Sequence, residues 1–168
     1  MRDEVDNLVA AWRRERPDLD VGPLEVLSRV TRLARHLDLA RRAAFAGHDL
    51  EAWEFDVLAA LRRTGAPYAL SPGQLVTQTL VTSGTMTNRI DRLADRGLVE
   101  RRPDPDDRRG VQVRLTEAGR TRVDAALADL LAREGALLAG LTPRQRAQLA
   151  DLLRRLLAPF DTEAPTPR

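Results

Sequence analysis

Apolar residues recur along most of the chain at spacings of three and four, the period of an α-helix. Val5, Leu8, Val9 and Trp12 mark one face of a first helix, which Pro17 stops. Pro23 suits the first turn of a second helix. Leu24, Leu27, Val30, Leu33, Leu37 and Ala40 carry its stripe to about Gly47. Asp49 is placed to cap a third helix over residues 50–64. Its centre, Phe55-Asp56-Val57-Leu58-Ala59-Ala60-Leu61, is apolar almost all round, which predicts burial. Gly65-Ala66-Pro67 breaks it. Ser71-Pro72 opens a short helix to about Leu80, and Thr82 or Ser83 caps the next, which ends near Arg96 with Gly97 as its stop. Two short helices joined so tightly predict a helix-turn-helix.

The period then changes to two. Residues 98–102 and 110–115 alternate as strands around a charged turn, Pro103 to Arg109, and a β-hairpin directly after a helix-turn-helix is a wing. Thr116 caps a further helix with Val123, Leu127, Leu130, Leu131, Leu137 and Leu138 as its stripe. Thr142-Pro143 opens the last helix, which carries Leu149, Leu152, Leu153, Leu156 and Leu157. The expected fold is mainly α with a small β-hairpin, one domain over residues 1–160. Residues 50–115 form the winged helix-turn-helix, residues 1–47 and 116–160 a helical dimerisation lobe, and residues 161–168 a flexible tail. The terminal helices hold more leucine than a surface helix needs, which a symmetric partner chain accounts for.

Composition narrows the chemistry. The 168 residues contain no cysteine, which excludes disulfides and cysteine-ligated zinc. Net charge is +2, and all 27 basic residues are arginine. Arginine forks suit phosphates and guanines, although a genome-wide preference for arginine codons gives the same count. Without a run of about 18 apolar residues, no membrane span is expected. Met1-Arg2-Asp3-Glu4 lacks the layout of a signal peptide, so a cytoplasmic location is expected. His36 and His48 form no HxxxH or HExxH pattern. No metal or cofactor is therefore expected, and in the absence of a nucleophile–base constellation the chain does not read as an enzyme.

On the predicted second helix of the helix-turn-helix, Met86, Ile90, Leu93 and Gly97 share one side, while Asn88, Arg92 and Asp95 fall opposite. The outward side suits a major groove. Asn88 can pair with adenine, Arg92 with guanine, and Ser83, Thr85 and Thr87 can donate to phosphates. Arg108 and Arg109 on the hairpin tip suit a minor groove, with Asp107 bracing Arg109 and with Arg102 and Arg114 along the strands. A plain solvated face has the same residues; the wing that follows favours nucleic acid.

Arg89 falls about 70° from the centre of the buried stripe and is expected to point sideways, away from the groove. Asp56 interrupts an apolar run, and a buried carboxylate needs a partner, for which Arg89 and Arg101 are candidates. Trp12 offers a flat stacking face. Together the four can form one pocket for a planar anion; a core tryptophan with a structural ion pair is the alternative.

The segment from Ser71 to Gly119 resembles the MarR family of winged helix-turn-helix regulators. Asp107-x-Arg109-x-x-x-Val113-x-Leu115-Thr116-x-x-Gly119 matches that family's wing signature, and Ser83 to Leu93 looks like its recognition helix. The resemblance implies a bacterial homodimer that binds pseudo-palindromic DNA and answers to small molecules. Trp12, Asp56, Arg89 and Arg101 are similar to the effector set of its urate-responsive branch. The expected function is a repressor released by such an anion, through competition for an Asp56–Arg89 pair. A regulator sensing another aromatic compound, or an architectural DNA-binding protein without an effector, are the alternatives.

Overall fold

The computed structural model describes residues 2–105 and 110–161. Asp107, Arg108, Arg109 and the expected tail beyond residue 161 lie outside the described residues. The chain divides into two compact units, Met1–Leu130 and Leu131–Arg168.

In the first unit, α1 (Glu4–Glu15) starts where the Asp3 carboxylate accepts from the Val5 and Asp6 amides. It lies on α2 (Gly22–Ala46) through a small cluster of Val5, Val9 and Val21. Ion pairs of Arg29 with Asp3 and Asp6, and of Arg32 with Glu4, close that contact. The next helix, α3 (Ala52–Arg63), is capped by Glu51, whose amide donates to Glu54 at 2.9 Å. Asp49, expected as the cap, instead takes a left-handed turn with φ 52° just after α2. The α2 end and α3 meet in a stacked Phe45–Phe55 pair, centroids 4.1 Å apart.

A two-residue strand, β1 (Ala69–Leu70), precedes α4 (Pro72–Thr79). It is too short to show an alternation, so the sequence pattern gave no sign of it. Ser71 caps α4, and Thr82 caps α5 (Ser83–Asp95), accepting from the Thr85 amide. The hairpin strands β2 (Val99–Pro103) and β3 (Val111–Leu115) pair antiparallel, and β1 adds to the far side of β3. Thr116 starts α6 (Glu117–Leu137): its hydroxyl donates to the Gly97 carbonyl at 2.8 Å and accepts from the Gly119 amide at 3.0 Å. The core collects Leu58 and Leu61 of α3, Ile90 and Leu93 of α5, Val113 of β3 and Ala126 of α6. Each large apolar side chain sealed there stabilises the fold by about 1.5–3 kcal/mol.

The second unit contains α7 (Pro143–Asp161), whose first turn is closed by Thr142 and Gln145. Among the described residues no helix is long and apolar enough to cross a membrane.

Candidate nucleic-acid interface

The inward stripe of α5 is the predicted one: Met86, Ile90 and Leu93 are fully buried. That fixes the opposite face outward, so Ser83, Thr85, Thr87 and Asn88 are all exposed. The first turn of α5 holds no acidic residue, which leaves its positive end open to a phosphate. Two hydroxyls are already engaged within the helix start. Thr85 Oγ1 shares a 2.9 Å hydrogen bond with Thr82, and Thr87 Oγ1 donates to the Ser83 carbonyl at 3.1 Å. Thr87 has its one hydroxyl proton committed to Ser83, so a phosphate contact requires that proton to turn outward; both oxygens remain at the surface.

Arg92 differs from expectation. Its guanidinium lies over the Trp53 ring at 4.7 Å, and Nη2 donates to Glu51 at 3.2 Å. The reason is proximity: the start of α3 offers an indole and a carboxylate beside the exposed flank of α5, and a long arginine stem folds down onto them. Arg89 shares the same indole, its guanidinium 5.5 Å from the ring centroid. Trp53 is held in place by an Nε1 hydrogen bond to Glu51 at 2.7 Å. Glu51, Trp53, Gly84, Asn88, Arg89 and Arg92 line an open cleft of about 590 Å³. Neither Glu51 nor Trp53 stood out in the sequence; the available signal was a tryptophan one turn ahead of Asp56 on the same helix.

The four residues expected to form one pocket have separate partners. Asp56 is half-exposed and pairs at 3.5 Å with Arg41 of α2, not with Arg89. The apolar run around it does not bury it, because a twelve-residue helix still keeps one narrow strip toward solvent, and Asp56 lies on that strip. The buried carboxylate is Glu54, 1% exposed and in helical register with Leu58 and Leu61. Arg101 pairs with Asp91 on α5 at 2.6 Å. Trp12, one turn beyond Val9 at the end of the α1 stripe, is 48% exposed.

Along the sheet, Arg102 is held by both oxygens of Glu100, at 2.8 and 3.0 Å. That pairing draws the Glu100 carboxyl below its ordinary range. Arg114 stands opposite Glu100 in the β2–β3 register. The Asp104 amide donates to the Gly110 carbonyl, closing the base of the hairpin loop at 3.0 Å. Among the described residues no cluster of His, Asp or Glu is arranged to hold a metal.

Comparison with known proteins assigns this architecture. Residues 48–110 match the model of the MarR family. The regulator PecS of Dickeya dadantii is 39% identical over 153 residues, covering 91% of this chain and 92% of that one. The repressor NicR of Pseudomonas putida is 32% identical, covering 83% and 89%. Among solved structures, a mutant MarR of Escherichia coli complexed with operator DNA superposes with a TM-score of 0.66 at 28% identity, covering 83% of this chain and 99% of that one. The chain is thus a winged helix-turn-helix transcriptional regulator that binds DNA, and it belongs to the MarR family.

Proposed function

We propose that the protein is a homodimeric repressor that grips a pseudo-palindromic operator with α5 and the wing and lets go when a small planar anion binds. Direct readout rests on Asn88 and Arg92, backbone contacts on Ser83, Thr85 and Thr87, and the minor groove on Arg108 and Arg109 with Asp107 bracing the tip. A dimer is supported by large apolar side chains left at the surface of both units, Leu27, Val30 and Leu33 on α2, and Leu152, Leu156 and Phe160 on α7. Two recognition helices about 34–36 Å apart then read adjacent turns of the duplex.

The observation that carries the effector half is the placement of Arg89 and Arg92 together on Trp53. An anionic ring stacked on that indole takes both guanidiniums, and with them a residue that DNA needs. Urate is the proposed ligand. The Bordetella bronchiseptica relative BpsR, 32% identical with a TM-score of 0.57 over 76% of this chain, has its DNA binding regulated by 6-hydroxynicotinic acid. Of the four residues expected as the effector set, Arg89 is the member this reading uses. Trp12, Asp56 and Arg101 define the rival site.

Calorimetric titration of urate into wild type, Arg89→Ala, Trp53→Ala and Trp12→Ala separates the two sites. Affinity lost with Arg89→Ala and Trp53→Ala and kept with Trp12→Ala supports the cleft on Trp53. Loss with Trp12→Ala and Arg89→Ala but not with Trp53→Ala moves the effector to the rival site, and affinity unchanged in all three variants removes both. Release of DNA by urate in a gel shift, and a dimer mass in sedimentation, test the remainder.

A further inference from the structure

Glu54 is the one charged side chain buried among the described residues, and it does not line the cleft on Trp53. Burying a carboxylate is costly unless it is ionically and geometrically paired. Its partner is Arg96, the residue that ends α5. Arg96 Nη1 reaches both Glu54 oxygens at 2.6 Å. Its Nη2 donates to Asp49 twice, to the backbone carbonyl and to Oδ2, each at 2.6 Å. Asp49 Oδ2 also receives Arg122 of α6 at 3.1 Å. The Glu54 hydrogen bonds, joined by the nearby Asp49 charge, hold the Arg96 guanidinium more firmly protonated than usual. The left-handed Asp49 backbone turns both its carbonyl and its carboxylate toward one fork. Glu54 in turn is fixed by the Glu51 amide.

We propose that this joint sets the angle of the recognition helix, making Arg96, Glu54 and Asp49 positioning residues for operator recognition although none of them reaches the groove. The groove-reading end of α5 is its N-terminus, and Arg96 sits at the other end. Within this helix of 13 residues Asn88 lies about 12 Å along the axis from Arg96, so a tilt of about 5° at the joint moves it by about 1 Å, and Arg92, about 6 Å away, by about half as much. That displacement exceeds the tolerance of a base-edge hydrogen bond, which weakens beyond about 3.2 Å. The charge attraction of the arginines for the phosphate backbone is longer-ranged and survives it. Arginine is required at this position because only its planar fork meets two carboxylates and a carbonyl at once.

The proposal rests on α5 being the element that enters the groove. Its test uses a duplex selected by the wild-type protein from a random pool and a scrambled duplex of equal length and composition. Wild type that shows no preference between them removes that underlying reading. Given a preference, Glu54→Gln, which retains shape and capping, is expected to lower it about tenfold, with scrambled-duplex affinity held within about twofold. Asp49→Asn, at a position 84% exposed in its side chain, is expected to lower it about threefold. In an Arg96→Ala background Asp49→Asn has no further effect on that preference, because Arg96 is the link from Asp49 to α5, and the remaining Arg122 pair ties Asp49 to α6 instead. Should Glu54→Gln fail to fold, Arg96→Lys takes its place beside Asp49→Asn. Folded variants with the wild-type preference, or an Asp49→Asn effect that persists without Arg96, overturn the proposal.

Discussion

Gly119 presses its α-carbon against the backbone of Leu98: a methyl group there would fall on the Leu98 carbonyl oxygen and lie 2.9 Å from Leu115 Cδ1. That carbonyl also accepts from the Thr116 amide and hydroxyl, so the start of α6 and the approach to β2 are locked together. Helix propensity alone favours alanine over glycine by about 1 kcal/mol. Here the obstacle is backbone, which cannot rotate aside. Gly119→Ala is therefore expected to destabilise the protein by about 1–3 kcal/mol. Urea unfolding with a lowered midpoint and unchanged slope verifies it.

Leu80 is the opposite case. It closes α4 in a left-handed conformation, φ 53° and ψ 42°, with 85% of its surface exposed. A leucine in that conformation is disfavoured by about 1–2 kcal/mol, while glycine gives back about 0.4–1 kcal/mol through the entropy of the unfolded chain. Little burial is lost with the side chain. Leu80→Gly is expected to raise stability by roughly 0.5–1 kcal/mol, visible as a higher thermal midpoint. A lower midpoint would mean that the exposed leucine has a packing role in solution.

The helices and hairpin were legible because their signals are local: apolar period, cap residues, and the glycines and prolines between them. The motif positions came from the family resemblance rather than from periodicity, and two of them, Thr116 and Gly119, prove to be joints between α6 and the approach to β2. What was not legible depends on which neighbour stands beside a helix. Asp56 and Glu54 are two residues apart on α3, yet one faces Arg41 and the other the core. Periodicity places Glu54 in line with Leu58 and Leu61, but a charge inside an apolar run makes Asp56 the more prominent position in the sequence. Arg92 was read from a helical wheel that contains no Trp53. A long side chain follows whatever partner is within reach, and a wheel assigns direction only to its Cβ.

Acid is expected to loosen α1 from α2. The Asp3 carboxyl is held below its ordinary 3.8 chiefly by the Arg29 hydrogen bonds, and Asp6 is lowered by the Asp3 amide and then by Arg29. Carboxyls lowered by folding stabilise the contact fully above their unfolded values, and that stabilisation disappears as pH falls through the folded ones. The loss therefore lies below about pH 4. Trp12, on α1, reports it by fluorescence in a Trp53→Phe background. Arg29→Ala should shrink the acid transition without abolishing it, because the contact is already weakened at neutral pH while the Asp3 amide still holds the Asp6 carboxyl down. A transition of the same size in that variant would assign it to other groups.

Arg92 cannot hold Glu51 and a guanine at the same time. To read a base as proposed, it has to leave a 3.2 Å ion pair whose partners are each about half-exposed. Such a pair is worth about 0–1 kcal/mol, so it restrains Arg92 without disabling it. Glu51→Gln keeps a hydrogen-bond acceptor for Trp53 but weakens the hold on the guanidinium, and it removes a negative charge from the edge of the DNA-facing cleft. DNA affinity is expected to rise by about two- to fivefold, more at low salt than at high. Fluorescence anisotropy with a labelled duplex across a salt series measures both effects. Weaker binding in Glu51→Gln would show instead that the carboxylate orients Arg92 for the groove, so the sign of the change alone decides between restraint and guidance.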